Sequence, residues 1–246
     1  MAGAGRLRPA QPPSDPHEER GRRAAGGKLG GGHRGLRRDL HRDPDRLGRT
    51  LGRVGRSVPR EVPGVSQSGG GEPFDLGERA PDFGPLLAVD GSRYSLASFA
   101  SADVLAIVFS CNGCPTVRAA EDGLVAHQAA YASRGAQLLA INANNPFLSP
   151  RDTYAEMVKR AGEKSFNFPY LKDEDGSAAR RYGANRTPHV FVLDHGRKLR
   201  YRGRIADSRD PDKVTRHDLE RAVDDLLASR AVEVPETEPF GCAIVW

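Results

Sequence analysis

The chain has 246 residues, with 37 lysines and arginines against 32 acidic residues, which gives a net charge of +5. Residues 1–72 carry 15 basic and 8 acidic side chains, whereas residues 73–246 carry 22 and 24. The part of the chain with a core-forming composition is therefore close to neutral, which argues against a nucleic-acid partner. No apolar run approaches the ~20 residues of a membrane-spanning helix, so no membrane partner is expected.

Residues 1–72 contain 16 glycines and no Phe, Tyr, Trp or Cys. Such a composition buries too little apolar surface to offset its ordering entropy, and it predicts a disordered Gly/Arg/Pro-rich extension. The alternatives are a basic arm for nucleic acid, a transit peptide, which the acidic residues argue against, and a translation start further downstream. The start is not followed by the apolar stretch of a secretory signal, so three cysteines indicate a reducing, cytoplasmic location.

The first regular elements come after this extension. Leu86–Phe99 predicts a hairpin that turns at Asp90 and Gly91. Val104–Phe109 is entirely apolar, which is typical of a central strand covered on both faces.

A helix is expected next, because apolar positions recur at helical spacing as far as Gly135 and Pro115 suits the first turn. Gln137–Ile141 predicts a second central strand. A second helix has its start signals at Ser149 and Pro150.

The remaining elements follow the same logic. Asp152 completes the start signal of the second helix, which is expected to end at Gly162, and a short helix is expected to end at Gly183. Val190–Leu193 and Leu199–Ile205 predict a hairpin.

The last helix is expected to open with Thr215 and Asp218 as a capping-box pair. We therefore predict an α/β domain over residues 73–230, with a mixed central sheet flanked by helices in the order of the thioredoxin fold. Residues 231–246 are expected to form a tail that docks on this domain.

Cys111 and Cys114 form a Cys-x-x-Cys motif between the central strand and the first helix. A helix N-terminus lowers the pKa of a thiol, so a lowered pKa is expected for Cys111. A second thiol close by can resolve a mixed disulfide. Half of a zinc site is the alternative, but zinc usually needs four ligands, and only Cys242 and scattered histidines remain. A pair of inert thiols is a further alternative; no cofactor or metal is expected.

Several motifs point to a known family. They are GERAPDF, VFSCNGCP, DEDGSAARRYGANRTPHVFVLD, RKLRYRGRI and the ending GCAIVW. With these motifs the chain resembles the thioredoxin-like redoxin family, which includes thiol–disulfide oxidoreductases and peroxiredoxins of the alkyl-hydroperoxide-reductase type. More narrowly, it is similar to bacterial redoxin-domain proteins with Cys-x-x-Cys-Pro and a Gly-Cys-x-Ile-x-Trp ending.

The resemblance assigns roles to four residues. It implies that Cys111 is the attacking thiol and Cys114 the resolving one. It also implies that Thr187 and Pro188 form the cis-proline element opposite the cysteines.

The chain also departs from the family pattern. Ser110 stands where thioredoxins commonly have Trp, and Val104–Phe109 lacks the buried acid that assists proton transfer. Arg118 and Glu121 are candidates for active-site support, the first through its charge and the second through a water molecule. The alternative for both is an ordinary solvated residue on the helix surface.

The leading function is therefore a thiol–disulfide oxidoreductase that takes a protein or small-molecule disulfide and a thiol electron donor. One alternative is a peroxiredoxin-like peroxidase that acts on hydroperoxides, although the Pro-x-x-x-Thr/Ser-x-x-Cys motif does not precede Cys111. Another is a non-catalytic redox sensor or metal-binding module.

Cys242 lies in the apolar tail, and two roles stay open for it. It is either a buried inert thiol or a third redox cysteine, which requires close approach to the Cys111/Cys114 pair. Phe240, Ile244 and Trp246 are expected to seek burial.

Overall fold

The computed structural model describes residues 74–246. The predicted disorder of residues 1–72 lies outside the described residues. Within the described part the strands are β1 (Leu86–Ala88), β2 (Arg93–Tyr94), β3 (Val104–Ser110), β4 (Ala136–Asn142), β5 (Tyr170–Lys172), β6 (Arg186–Thr187), β7 (His189–Leu193), β8 (Leu199–Gly203) and β9 (Cys242–Ala243). The α-helices are α1 (Pro115–Tyr131), α2 (Tyr154–Glu163), α3 (Ser177–Tyr182) and α4 (Asp218–Leu227).

Seven strands form one mixed sheet in the order β2-β1-β5-β4-β3-β7-β8. The central strand β3 runs parallel to β4 and antiparallel to β7. Strands β6 and β9 pair separately as a two-stranded ribbon. The predicted mixed sheet flanked by helices is confirmed.

Every residue of β3 is buried because helices cover both faces of the sheet. Side chains alternate along a strand, so Leu105 and Phe109 pack into one core cluster and Val104 and Val108 into the other. Helix α3 covers the first face, whereas α1, α2 and α4 contribute to the second. The end of β3 and the start of α1 are thereby fixed by packing on both sides.

The start of α2 differs from the prediction. Ser149 precedes a single 3-10 turn at Pro150–Asp152, and α2 begins only after Thr153, whose hydroxyl accepts the backbone N–H of Glu156 (3.4 Å). The helix then continues through Gly162, the predicted end, and its last residue is Glu163. The carboxylate of Asp152 is turned into the interior and is not available to cap a helix.

The start of α4 also differs. His217 is the N-cap residue, and the backbone N–H of Thr215 donates to Asp207 (2.9 Å) instead. Asp218 is buried and accepts a hydrogen bond from Arg204 (2.7 Å), so the capping-box prediction was wrong.

Candidate functional site

The two cysteines of the Cys-x-x-Cys motif lie between the end of β3 and the start of α1. Cys114 is the N-cap residue of α1, and Pro115 takes the first helical position. Both cysteines carry free thiols and are buried, with 3% of Cys111 and 1% of Cys114 exposed. The helix N-terminus therefore acts on Cys114, whereas Cys111 lies one loop before it.

Thr187 contacts both thiols. Its Oγ1 lies 3.1 Å from the Sγ of Cys111, and its carbonyl oxygen accepts a hydrogen bond from the Cys114 thiol (3.2 Å). The Thr187–Pro188 peptide bond is cis, as the family resemblance implies, and both residues are buried. The structure thus brings together four of the predicted site residues.

The pKa values of the two thiols are shifted in opposite directions. The hydrogen bond to Cys111 is the main cause that lowers the pKa of Cys114, and the backbone N–H of Val117 in the first turn of α1 lowers it further. The same hydrogen bond and burial raise the pKa of Cys111. The helix begins at Pro115, four residues after Cys111, so its N-terminus lies next to Cys114, and the lowered pKa predicted for Cys111 was wrong.

A buried polar cluster holds the loop between the cysteines, and the sequence analysis missed it. Asp152 is fully buried and accepts the backbone N–H of Asn112 (2.7 Å) and the side-chain amides of Asn142 (2.8 Å) and Asn144 (2.9 Å). The hydroxyl of Ser149 donates to the same carboxylate (2.5 Å). We call these residues the Asp152 cluster.

Tyr170 extends the Asp152 cluster from β5. Its hydroxyl donates to Oδ1 of Asn112 (3.0 Å) and accepts from the amide of Asn142 (3.0 Å). Burial raises the pKa of Tyr170 well above its usual value, so it stays a neutral donor. The charge of Asp152 also contributes to raising the pKa of Cys111. A sequence pattern cannot show this arrangement, because Ser149 and Asp152 have the spacing of a helix start.

The two support candidates on α1 do not reach the thiols. Arg118 is exposed, and its backbone N–H donates to the carbonyl of Cys114 as part of the helix. Glu121 is buried, with 2% exposed, and forms a two-point ion pair with Arg160 of α2 (2.9 Å to Nε). Both oxygens of Glu121 are thereby engaged, so it joins α1 to α2 and does not serve Cys114.

The end of the chain lies against Thr187. In the ribbon of β6 and β9, Thr187 pairs with Cys242. Gly241 has a φ of +151°, a conformation that favours glycine, and a Cβ there would overlap the carbonyl of Thr187 and approach Pro188. Only glycine therefore allows the chain to come this close to the cysteine site.

Further contacts hold the tail in place. The N–H of Ile244 donates to the carbonyl of Asn185 (3.0 Å), and its side chain is buried in the core. The N–H of Val245 donates to Oδ1 of Asn144 (3.0 Å), which joins the tail to the Asp152 cluster.

The tail excludes one alternative for Cys242 and corrects one expectation. Cys242 is exposed, so it is not the buried inert thiol that was one of its two open roles. Trp246 is 47% exposed and packs against the guanidinium of Arg180, 5.0 Å from its ring centre.

A groove of about 380 Å³ begins beside Pro188. Its lining is mainly apolar and includes Ala119, Ala120, Leu124, Pro188, Ile205 and Phe240. His127 also lines it, and Nδ1 of this buried imidazole has no hydrogen-bond partner among the described residues. Burial lowers the pKa of His127 to about 4, so the groove is neutral at this point.

Two general findings concern residues 74–246. None of the helices there combines the length and apolar character needed to cross a membrane. His, Cys, Asp and Glu side chains in the same range form no group of three or more that could hold a metal ion.

The Redoxin family model matches residues 75–223, and the chain belongs to this family. An uncharacterized conserved protein from Geobacillus kaustophilus is 36% identical, with 71% of this chain and 94% of that chain covered and a TM-score of 0.67. A hypothetical protein from Sinorhizobium meliloti 1021 is 35% identical over 70% of this chain and 95% of its own, also with a TM-score of 0.67.

A putative thiol:disulfide interchange protein DsbE from Chlorobium tepidum is 23% identical, with 63% and 99% coverage and a TM-score of 0.52. This likeness shows the thioredoxin-like fold alone. No curated protein matches the chain. Family membership makes the protein an oxidoreductase with a redox function in general terms.

Proposed function

We propose that the protein is a thiol–disulfide oxidoreductase that uses Cys111 and Cys114 as its redox pair. The observation that carries this proposal is the arrangement of the two free thiols, which both contact Thr187 while Cys114 caps α1. A thiolate is the reactive form in thiol–disulfide exchange, and a helix N-terminus stabilises it. The family resemblance assigns the attack to Cys111, whereas the N-cap position favours a thiolate at Cys114, and the cysteine variants below determine which thiol attacks.

The reaction is a two-electron exchange. The thiolate of one cysteine of the pair attacks one sulfur of a substrate disulfide, and the other half of the substrate leaves as a thiolate. The second cysteine then loses its proton to the leaving group and attacks the first, which releases the second substrate thiol. The substrate disulfide is reduced to two thiols while the Cys111/Cys114 pair becomes a disulfide, and an external thiol donor restores the pair.

The groove beside Pro188 supports a substrate with apolar groups next to its disulfide. Its apolar lining lies on the α1 side of the site, and the groove is also lined by four charged side chains, those of Asp122, Arg204, Arg209 and Glu220. A reducing location such as the cytoplasm, which we also propose, supplies thiol donors that keep the pair reduced.

The decisive experiment measures reduction of oxidised glutathione and of a chromogenic aromatic disulfide, with dithiothreitol as donor. We expect Cys111→Ser and Cys114→Ser both to lose turnover, and the variant that retains the attacking thiol to accumulate the mixed disulfide with the substrate. Ser133→Ala changes an exposed residue just after α1 that does not line the groove, and it is the control, with a rate close to that of the unaltered protein. Unaltered rates in both cysteine variants would overturn the proposal.

A parallel assay distinguishes the peroxidase alternative. Consumption of hydrogen peroxide and of an organic hydroperoxide is measured with the same donor and protein concentration. Disulfide reduction should be the faster reaction. Hydroperoxide consumption that is faster, and lost when either cysteine of the pair is replaced by serine, would assign the pair to peroxide chemistry instead.

A further inference from the structure

Cys242 is brought to the redox pair by the pairing of β9 with β6. Cys242 is directly opposite Thr187 in this antiparallel ribbon. Opposed residues project to the same face, with their Cβ atoms about 4.5–5.5 Å apart. Thr187 itself contacts the Sγ of Cys111 through Oγ1 (3.1 Å) and that of Cys114 through its carbonyl (3.2 Å). All three cysteines of the chain therefore surround one residue.

Cys242 also acts on the Cys114 thiol. The side chain and the backbone N–H of Cys242 both contribute hydrogen bonds that lower the pKa of Cys114. The same contact raises the pKa of Cys242, and Arg209 opposes this rise. Because Cys242 pairs with Thr187 and Cys114 donates to the Thr187 carbonyl, the two sulfurs are placed for exchange, provided that the side chains rotate into disulfide geometry.

The three thiols differ in access to solvent. Cys111 and Cys114 are 3% and 1% exposed, whereas Cys242 is exposed. Thiol–disulfide exchange requires the attacking thiol to reach a disulfide sulfur. A donor in solution therefore meets Cys242 before it meets either member of the pair.

We propose that Cys242 is a third redox cysteine. By forming a Cys114–Cys242 disulfide, it allows thiol donors in solution to reduce the buried pair. This inference rests on the proposed function of the Cys111/Cys114 pair. It assigns to the tail a chemical role in addition to its packing.

The step is an exchange within one chain and needs no outside oxidant. The Cys242 thiolate attacks the Sγ of Cys114 in the Cys111–Cys114 disulfide, so the Cys114–Cys242 bond forms as the Cys111–Cys114 bond breaks. Cys111 leaves as a thiolate and takes up the proton that Cys242 gave up. An external thiol donor then attacks the exposed Cys242 sulfur, and a second donor thiol completes the reduction. Each exchange is reversible, so a substrate disulfide can also react first with Cys242 and then oxidise the buried pair by the reverse steps.

The first test isolates the new bond. Cys111→Ser protein retains Cys114 and Cys242 and is treated with the thiol oxidant diamide, then alkylated and mapped by non-reducing peptide mass spectrometry. We expect an intramolecular Cys114–Cys242 disulfide. Cys114→Ser, which retains Cys111 and Cys242, should form a crosslink at least about tenfold more slowly because Thr187 lies between these thiols. Equal crosslinking in the two variants, or none in Cys111→Ser, overturns the proposal.

The second test follows turnover. Cys242→Ser should reduce oxidised glutathione with a multiple-turnover rate at least about tenfold below the unaltered protein, because the donor must reach a buried disulfide. Circular dichroism and thermal unfolding establish that the variant is folded. A rate equal to that of the unaltered protein overturns the proposal.

A relocated thiol provides the matched control. Ala243 is the next residue of β9, is exposed like Cys242, and projects to the opposite face of the strand. Ala243→Cys added to Cys242→Ser keeps an exposed tail thiol but removes it from Thr187, and it should not restore turnover. Restoration would mean that any surface thiol suffices. The proposed function is tested separately: it fails if the unaltered protein reduces no disulfide. The crosslinking experiment tests the role of Cys242 whether or not the unaltered protein reduces a disulfide.

Discussion

The Asp152 cluster and the tail approach the same redox pair from two sides, and they are built differently. The Asp152 cluster is made of side-chain amides, a hydroxyl and a backbone N–H around a fully buried carboxylate. The tail is held by backbone pairing and leaves its thiol exposed. A buried, fully bonded cluster resists local opening, whereas a short surface ribbon opens at low cost. One side therefore fixes the geometry of the pair, and the other can move during the reaction.

The two sides are joined at two neighbouring residues, Asn144 and Asn145. The amide of Asn144 donates to Asp152 (2.9 Å), and its oxygen accepts the N–H of Val245 (3.0 Å). The carbonyl of Val245 also accepts the backbone N–H of Asn145 (2.8 Å). A substitution in the Asp152 cluster should therefore affect the tail only weakly, and a substitution in the tail should affect the cluster only weakly, because Asn144 and Asn145 alone carry the contacts described above.

The largest effect should come from removing the centre of the Asp152 cluster. Asp152→Ala should lower the free energy of unfolding by about 3–5 kcal/mol, because several buried donors lose their acceptor at about 1–3 kcal/mol each. Denaturant unfolding measures this. Asp122→Ala removes an exposed carboxylate paired with Lys164 (2.8 Å), and this control should cost less than about 1 kcal/mol. Similar losses in the two variants would contradict the structural role of the cluster.

Lowering the pH should destabilise the core beside Thr187 without changing the contacts of the Asp152 cluster or of the tail. Burial lowers the pKa of His189 in the folded protein to about 4, below the ~6.5 of an unfolded histidine. The unfolded chain therefore binds more protons between these values, and stability falls as the pH falls. Lowering the pH from 7 to 5 should cost about 2 kcal/mol through this group.

Denaturant unfolding at several pH values provides the check. His189→Phe removes the titrating group while keeping a ring beside Phe191, whose centre lies 4.5 Å from that of His189. The variant should show a flatter pH profile over this range. An unchanged slope would place the acid sensitivity elsewhere, for example at His127, which burial also keeps neutral.

A smaller effect is expected where the tail crosses the redox pair. Gly241→Ala places a Cβ against the carbonyl of Thr187 and requires a φ that alanine rarely adopts. The tail should detach, and the free energy of unfolding should fall by about 1–3 kcal/mol. Trp246 is the single tryptophan of the chain, so its fluorescence reports detachment by a shift to the red.

Gly123→Ala provides the control for this change. Gly123 lies within α1, and a Cβ there meets no atom within 4 Å. This variant should gain up to about 1 kcal/mol from helix propensity, with unchanged tryptophan fluorescence. A Gly241→Ala protein with the same behaviour would show that the tail tolerates a side chain at this crossing.

The smallest effect should come from Trp246→Ala. The ring is half exposed and stacks on Arg180, a contact of about 0.5–1 kcal/mol at an exposed site. Thermal unfolding should fall slightly, and the Cys114–Cys242 crosslink should still form. A loss as large as that of Gly241→Ala would mean that this stacking, rather than the ribbon, holds the tail.

Local patterns predicted the elements that carry the redox pair. The apolar run at Val104–Phe109 gave the central strand, and Pro115 marked the start of α1, because burial and the absence of a backbone N–H leave clear signals in sequence. The cis bond at Thr187–Pro188 came from the family resemblance. These features depend on neighbours in the chain or on a motif.

The rest depended on long-range contacts. Ser149 and Asp152 show the spacing of a helix start, and only the fold reveals that the carboxylate faces Asn112, 40 positions earlier. Cys242 lies on an apolar tail, which suggested burial, yet pairing with Thr187 leaves it exposed. Sequence spacing contains no information on which distant strand a two-residue segment will join.

The ribbon of β6 and β9 has a consequence for competition at the redox site. An extended polypeptide binds a strand edge through its backbone, and the edge at Arg186 and Thr187 is already occupied by the protein's own β9. The tail is thus a tethered competitor, and a short tether gives an effective concentration of about millimolar order. A polypeptide at micromolar concentration must displace it to pair beside Pro188, whereas a small disulfide needs only one accessible sulfur. If the pair acts as proposed, we expect the ribbon to favour compact disulfides over unfolded chains as substrates.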